Sequence, residues 1–317
     1  MSFSSTVKEE LSRQLSGGRH CQIAEIAAII SMCGRIQISE YDKYKVKIHT
    51  ENLCVARKYF TLIKKTYNID TGISVRRGRG MARNNIYTIA VLEHENAKKI
   101  LQSTHLIDEQ GEVRENLSIT DNLIVQRECC KRAFIRGAFL CTGSISDPEK
   151  FYHYEITCSS YEKALQLQKM MQTFQLCAKI VERKRYFVVY IKEGSGIVDI
   201  LNVMEAHNAL MELENVRIIK EVRNSVNRKV NCETANLNKT ISAAVKQQED
   251  IRFIQETIGL SKLPDSLEEV ARIRLESTDY SLKEIGEMLS VKVGKSGVNH
   301  RLRKISEIAE NLRQGHM

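Results

Sequence analysis

The 317-residue chain has two prolines, Pro148 and Pro264, and no tryptophan. That excludes collagen, mucin-like stalks and Pro-rich linkers. No apolar run is long enough to cross a bilayer. The longest, Ile23 to Cys33, is eleven residues interrupted by Glu25, against about 20 for a span. The first fifteen residues have no basic stretch leading into an apolar one. Thr6 and Glu9 stand in capping-box spacing, so an amphipathic helix is expected rather than a leader. There is no CxxC among nine cysteines, an odd number, and most of them lie in apolar runs such as Asn52–Ala56. They read as small buried hydrophobes of a reducing, cytoplasmic compartment. His20-Cys21 is an isolated neighbour pair. Neither a metal site nor a cofactor is expected.

Acid is the scarcer charge. Lys and Arg number 48 against 39 Asp and Glu, a formal charge of +9, and 42% of residues are apolar. The chain can bury substantial cores, and polyanions are its natural partners. The length suggests about two domains.

The chain repeats itself. Ile26–Ser39 is an apolar, small-residue helix that ends at Gly34 and runs straight into a β-prone stretch, and Ala133–Ser146 does the same at Gly143. The two glycines stand 109 positions apart. Lys43–Thr50 then matches Tyr152–Ser160, the helix Asn52–Tyr67 matches Tyr161–Phe174, and Asn84–Leu92 matches Tyr186–Lys192. Arg76 pairs with Arg183 at an offset of 107. Each half closes with a helix, near 95–102 and 197–206. The order is helix, two strands, helix, two strands, helix. Alternation in Lys43–His49 predicts antiparallel sheets with one buried face and one wet, basic face. Ala27, Ala28, Gly137 and Ala138 permit the first helices of the halves to pack closely. Two unrelated α+β domains are the alternative.

After residue 207 strand signals stop. Residues 217–231 hold five basic residues and one acid, and the following stretch is Asn-rich and turn-prone. A linker is expected over 223–240, then a helix from Thr240 to Ile258 stopped by Gly259. Helices start at Ser266 and, capped by Ser281, at Leu282, where Leu282, Ile285 and Leu289 form one stripe. In the last helix Val298, Leu302, Ile305, Ala309 and Leu312 make the buried face. Lys295, Arg301, Arg303 and Lys304 stand within ten residues that contain no acid. A recognition helix needs cations for phosphates and short polar groups near its start for base edges. Ser296, Asn299 and His300 suit that role, and Gly297 permits close approach. Ser281 and Lys283 flank it, and the loop cations Arg76, Arg77 and Arg79 with Arg183 and Lys184 are further candidates for phosphate contact. Val293-Gly294-Lys295-Ser296 mimics the end of a P-loop, but Leu289 stands where that pattern requires glycine, and a helix precedes it.

The double repeat resembles the LAGLIDADG homing-endonuclease fold, with motifs at Ile26–Gly34 and Ile135–Gly143. In that family an acid precedes each final glycine and the two acids hold divalent metal. Here those positions are Cys33 and Thr142. A thiol and a hydroxyl do not replace carboxylates for magnesium, and Asp147, four residues past Gly143, sits in a turn context. No catalytic residue is expected. The double repeat joined to a helix-turn-helix resembles the WhiA family, most specifically at Lys295–Lys304 and Asn231–Leu237. The C-terminal part also resembles sigma-factor region 4.

The resulting expectation is an α+β protein. A duplicated LAGLIDADG-like αββαββα domain occupies 1–222, with halves at about 20–105 and 121–210. The linker 223–240 follows, then an all-α domain over 241–317 with its helix-turn-helix at about 275–309. The resemblance implies a non-enzymatic, nucleoid-associated regulator of division, chromosome segregation and sporulation genes. Its partners would be double-stranded DNA and RNA polymerase or another transcription factor. An architectural protein of weak sequence preference and a metal-dependent endonuclease remain as alternatives.

Overall fold

The computed structural model describes residues 2–38, 43–77, 85–108, 110–113, 123–276 and 279–315. The chain forms two compact units, Met1–Lys220 and Glu221–Met317.

The first unit opens with α1 (Phe3–Arg13). Its cap is Ser2, whose hydroxyl accepts from the Ser5 N–H, so the cap lies four residues before the expected Thr6. The first half follows as α2 (Arg19–Cys33), β1 (Gly34–Ile38), β2 (Tyr44–Thr50), α3 (Leu53–Tyr67), β3 (Gly72–Arg77), β4 (Asn85–Val91) and α4 (His94–Ser103). The second half is α5 (Glu128–Thr142), β5 (Gly143–Ile145), β6 (Tyr154–Cys158), α6 (Tyr161–Gln172), β7 (Lys179–Arg183), β8 (Tyr186–Ile191) and α7 (Gly194–Val203). The sheets have the same antiparallel order, β1-β2-β4-β3 and β5-β6-β8-β7. The registers correspond as well. Gly34 faces Ile48 in one sheet and Gly143 faces Ile156 in the other.

Helices α2 and α5 pack against each other at the centre of the unit. Residues 24–31 of α2 are all buried, as befits a helix that is apolar on every side. Gly137 makes the approach possible. A Cβ there would lie 2.8 Å from the Glu25 carbonyl oxygen and 2.9 Å from the Ala28 Cβ. The halves share one core, which runs through α1, α2, α5 and the inner faces of both sheets.

Helix α8 spans His207–Thr257, so the stretch 223–240 is helical and not the turn-rich linker expected. It holds neither Gly nor Pro, and Asn costs a helix only a few tenths of a kcal/mol each. Val222, Val226, Val230, Leu237 and Ile241 are exposed along it. Gly259, at φ 82°, stops the chain there. In the second unit α9 (Asp265–Glu276), α10 (Leu282–Met288) and α11 (Lys295–Arg313) pack with the end of α8 around Ile251, Ile254, Val270, Ile285, Val298, Leu302 and Ile305.

Candidate nucleic-acid interface

Helices α10 and α11 form a helix-turn-helix. Ser281 caps α10 in a complete capping box: its hydroxyl accepts the Glu284 N–H, and the Glu284 carboxylate accepts the Ser281 N–H at 2.7 Å. That hydrogen bonding holds the Glu284 carboxyl below its ordinary range. The connection from Met288 to Lys295 is pinned at two points. The Val293 N–H donates to the Gly286 carbonyl at 3.2 Å. Glu269 of α9 accepts from the Ser290 N–H at 2.6 Å and from its hydroxyl at 3.1 Å. Gly286 is obligatory, because a Cβ there would lie 2.2 Å from the Val293 carbonyl oxygen. Gly297 faces inward in part: a Cβ would meet the Val293 Cβ at 3.2 Å.

Helix α11 buries Val298, Leu302, Ile305 and Ala309. Its opposite face presents Ser296, Asn299, His300, Arg303 and Lys304, all exposed, while Arg301 is half-buried on the flank. Among the described residues, no carboxylate lies within 4.0 Å of the charged atoms of Lys295, Arg301, Arg303 or Lys304. Gly294 precedes the helix and provides no side-chain cap, so the first N–H groups keep their donor capacity. A groove beside α10 brings Ser281, Lys283, Lys295 and Asn299 together. Lys283 is loosely paired with Glu287 at 3.8 Å.

The loop candidates occupy equivalent ends of the two sheets, and their surroundings differ. In the first half the wet face carries Arg35, Lys45, Lys47, His49 and Arg76 on neighbouring strands, and no acid occurs in β1–β4. The His49 imidazolium is disfavoured by burial and then by Arg35, Lys47 and Arg76. Arg77 is exposed beside them, and Arg79 lies outside the described residues. In the second half Arg183 is drawn to Glu155 at 3.3 Å, so its charge is partly spent. Lys184 occupies the tight turn between β7 and β8 at φ 57°.

The two nuclease-equivalent positions meet where α2 and α5 end. The Cys33 thiol donates to the Cys141 sulfur at 3.3 Å, and the Thr142 hydroxyl turns back to the Ala138 carbonyl at 3.5 Å. Two lysines stand beside the junction. Lys8 lies over the Phe139 ring and close enough to Cys141 to be influenced by its charge, and Lys163 donates to the Ser31 carbonyl at 2.6 Å. Burial lowers the pKa of both lysines. Asp147 accepts from the Glu149 N–H at 3.0 Å and so serves its own turn. The chemistry of this junction is that of a packed, thiol-lined helix end, and among the described residues none there supplies a carboxylate suited to a hard divalent cation.

Sequence reasoning missed two arrangements. Glu25, read only as an interruption, is fully buried and takes Lys58 at 3.0 Å and Arg136 at 3.1 Å. The Lys58 ammonium also donates to the Leu11 and Gln14 carbonyls, and Arg136 reaches Glu205 at 2.6 Å. The second correction concerns the neighbour pair His20-Cys21, which is not isolated: it stands against Cys129-Cys130. The repeat offset held the signal, since Cys21 and Cys130 are themselves 109 positions apart.

Comparison with known proteins covers nearly the whole chain. Residues 19–107 match the family model of the WhiA N-terminal LAGLIDADG-like domain, 131–223 that of the WhiA LAGLIDADG-like domain, and 226–309 that of the WhiA C-terminal HTH domain. A probable cell division protein WhiA of Lachnoclostridium phytofermentans is 51% identical over 314 residues, covering 99% of this chain and 100% of that one. One of Clostridium perfringens is 49% identical over 317 residues, the full length of both. The solved full-length DUF199/WhiA from Thermatoga maritima shares the fold at a TM-score of 0.61 and 26% identity, over 98% of this chain and 99% of that one.

Proposed function

The chain belongs to the WhiA family, and from that premise we propose that it is a non-catalytic DNA-binding regulator of division and sporulation genes. The observation that carries the reading is the exposed face of α11, where Ser296, Asn299, His300, Arg303 and Lys304 stand together without an acid. Lodged in a major groove, Arg303, Lys304 and Lys295 neutralise phosphates, and Ser296 and Asn299 meet base edges. Arg301 works from the flank. Ser281 and Lys283, across the groove from Lys295, take the adjoining backbone. The sheet cations Arg76 and Arg77 add sequence-independent attraction, and Arg183 and Lys184 do so more weakly. As a regulator the protein works at the nucleoid, beside RNA polymerase or a second transcription factor. No described helix is long and apolar enough to cross a membrane.

The loss of the motif acids supports a scaffold rather than a nuclease. Magnesium hydrolysis of a phosphodiester requires carboxylates at the scissile phosphate, and Cys33, Thr142, Lys8 and Lys163 supply none.

Genome-wide binding of the intact chain, compared with an Asn299→Ala/Arg303→Ala variant, tests the reading. Occupancy should concentrate upstream of division and sporulation genes and vanish in the variant. In vitro, a site recovered this way should be preferred over random DNA by about 10³ or more at fixed salt. Equal affinity for both would make the protein architectural instead. Nicking of supercoiled plasmid in magnesium or manganese, abolished by a variant at Cys33 or Thr142, would restore the enzyme.

A further inference from the structure

The amino ends of the two central helices hold a grouping that the proposed regulator role does not use. Helix α2 begins at Arg19 and α5 at Glu128. Position for position in the repeat, His20 corresponds to Cys129 and Cys21 to Cys130, each pair 109 residues apart. Packing of α2 on α5 superimposes these helix starts. One ligand atom from each of His20, Cys21, Cys129 and Cys130 then falls within 4.8 Å of all the others. Among the described residues, no other set of three or more His, Cys, Asp or Glu groups comes this close.

We propose that His20, Cys21, Cys129 and Cys130 form a tetrahedral site for a thiophilic divalent cation, zinc by preference, that joins the two halves of the first unit. Three sulfurs and one imidazole nitrogen are a zinc donor set, and closed sites of this composition are structural. With Zn–S bonds near 2.3 Å, a tetrahedral edge is about 3.8 Å. The His20 Nδ1 to Cys21 Sγ distance is already 3.4 Å, and rotation of side chains closes the remainder. Cys21 and Cys130 are buried while His20 and Cys129 are exposed, so the grouping has a dry floor and an open mouth for entry. The His20 ring folds over Gly18, where a Cβ would lie 2.8 Å from its Cε1, so that residue leaves the ring its place.

The electrostatics suit a cation that brings its own charge. Burial pushes the Cys21 thiol up to about 12, and burial with the neighbouring Cys129 thiol raises Cys130. Zinc binding displaces the protons of its thiol ligands, so affinity should fall as the pH is lowered. Three thiolates, a neutral imidazole and Zn²⁺ leave a single negative charge. It lies at two helix N-termini beside Arg127, whose charge already favours the Cys130 thiolate. A disulfide is the competing use of these cysteines, and it would engage two sulfurs and leave His20 idle.

The intact chain, purified under reducing conditions, should carry one zinc by elemental analysis. Replaced by Co²⁺, the ion should show the intense visible bands of tetrahedral coordination and a thiolate-to-cobalt charge-transfer band. Cys129→Ser and His20→Ala change only exposed side chains. Each should weaken zinc binding by at least the roughly 10–100-fold that loss of even an outer-shell partner causes. A chelator should lower the thermal midpoint of the native chain and leave that of Cys129→Ser/His20→Ala unmoved. An octahedral cobalt spectrum would overturn the proposal. So would a disulfide among these three cysteines in the chain as purified without reductant from a reducing cytoplasm, or zinc affinity unchanged in both single variants.

Discussion

Glu25 on α2 and Arg136 on α5 form a fully buried ion pair, Oε1 to Nε at 3.1 Å, between side chains 111 positions apart in sequence. Lys58 completes it from the first half within the core, and the half-exposed Glu205 closes it at the end of the second, so two acids meet two bases. The motif that would supply a nuclease with its framework here carries an internal electrostatic lock.

Glu25→Ala strands two buried cations at once. The loss should be about 3–5 kcal/mol, the usual cost of removing one member of a buried pair. Urea unfolding followed by circular dichroism measures it, and a loss under 1 kcal/mol would show that water reaches the cluster.

Gly137→Ala should destabilise the first unit by about 1–3 kcal/mol, the range for overpacking a close interior contact. The added methyl strikes the Glu25 carbonyl at 2.8 Å, and backbone cannot swing aside. Gly17→Ala, with nothing within 4 Å, is the control and should be nearly silent. Thermal unfolding of the two variants side by side decides the point.

On DNA, Asn299→Ala should cost about 1–3 kcal/mol at a specific site and little on random sequence, if its contact is bidentate to a base. Arg303→Ala should weaken both kinds of DNA and reduce the salt slope by about 0.9 for one lost phosphate contact. With about four phosphates neutralised, the native slope of log K against log salt should be near −3.6. Arg301→Ala should lie between, because its side chain is half-buried. Fluorescence anisotropy over a range of salt separates the three, and identical salt slopes for native and Arg303→Ala would remove that residue from the backbone.

His49 sets an acid limit on the first sheet. Its folded pKa lies below the ordinary 6.5 because burial and then Arg35, Lys47 and Arg76 oppose the imidazolium. As pH falls through 6.5, the unfolded chain takes up a proton that the folded chain refuses, so stability declines with acidification. His49→Gln should flatten that part of the profile. The His49 resonance followed by NMR against pH should titrate below the ordinary 6.5.

The fold was legible because its signals are local. Strand alternation in Lys43–His49 and the four- and three-residue spacing of Val298, Leu302 and Ile305 each act within a few residues, and in the first unit the 109-residue repeat showed the order of elements twice. The stretch 223–240 was misread because Asn and Ser outweighed a quieter cue. Val222, Val226 and Val230 recur every four residues, with no glycine or proline to break a helix. The α11 cations were legible for the same local reason. The hold of Glu269 on Ser290, and the neutralisation of Arg183 by Glu155, were not.

Periodicity and charge placement alone settled that the chain is duplicated and that cations segregate to the last helix, while the resemblance to the nuclease fold implied that Cys33 and Thr142 stand where acids would. Folding decided which distant residues became neighbours. Glu25 could meet Arg136, and His20-Cys21 could meet Cys129-Cys130, only once α2 lay against α5. Helix and strand preferences are written in contacts of a few residues, whereas partners more than a hundred positions apart are chosen by how two finished helices pack.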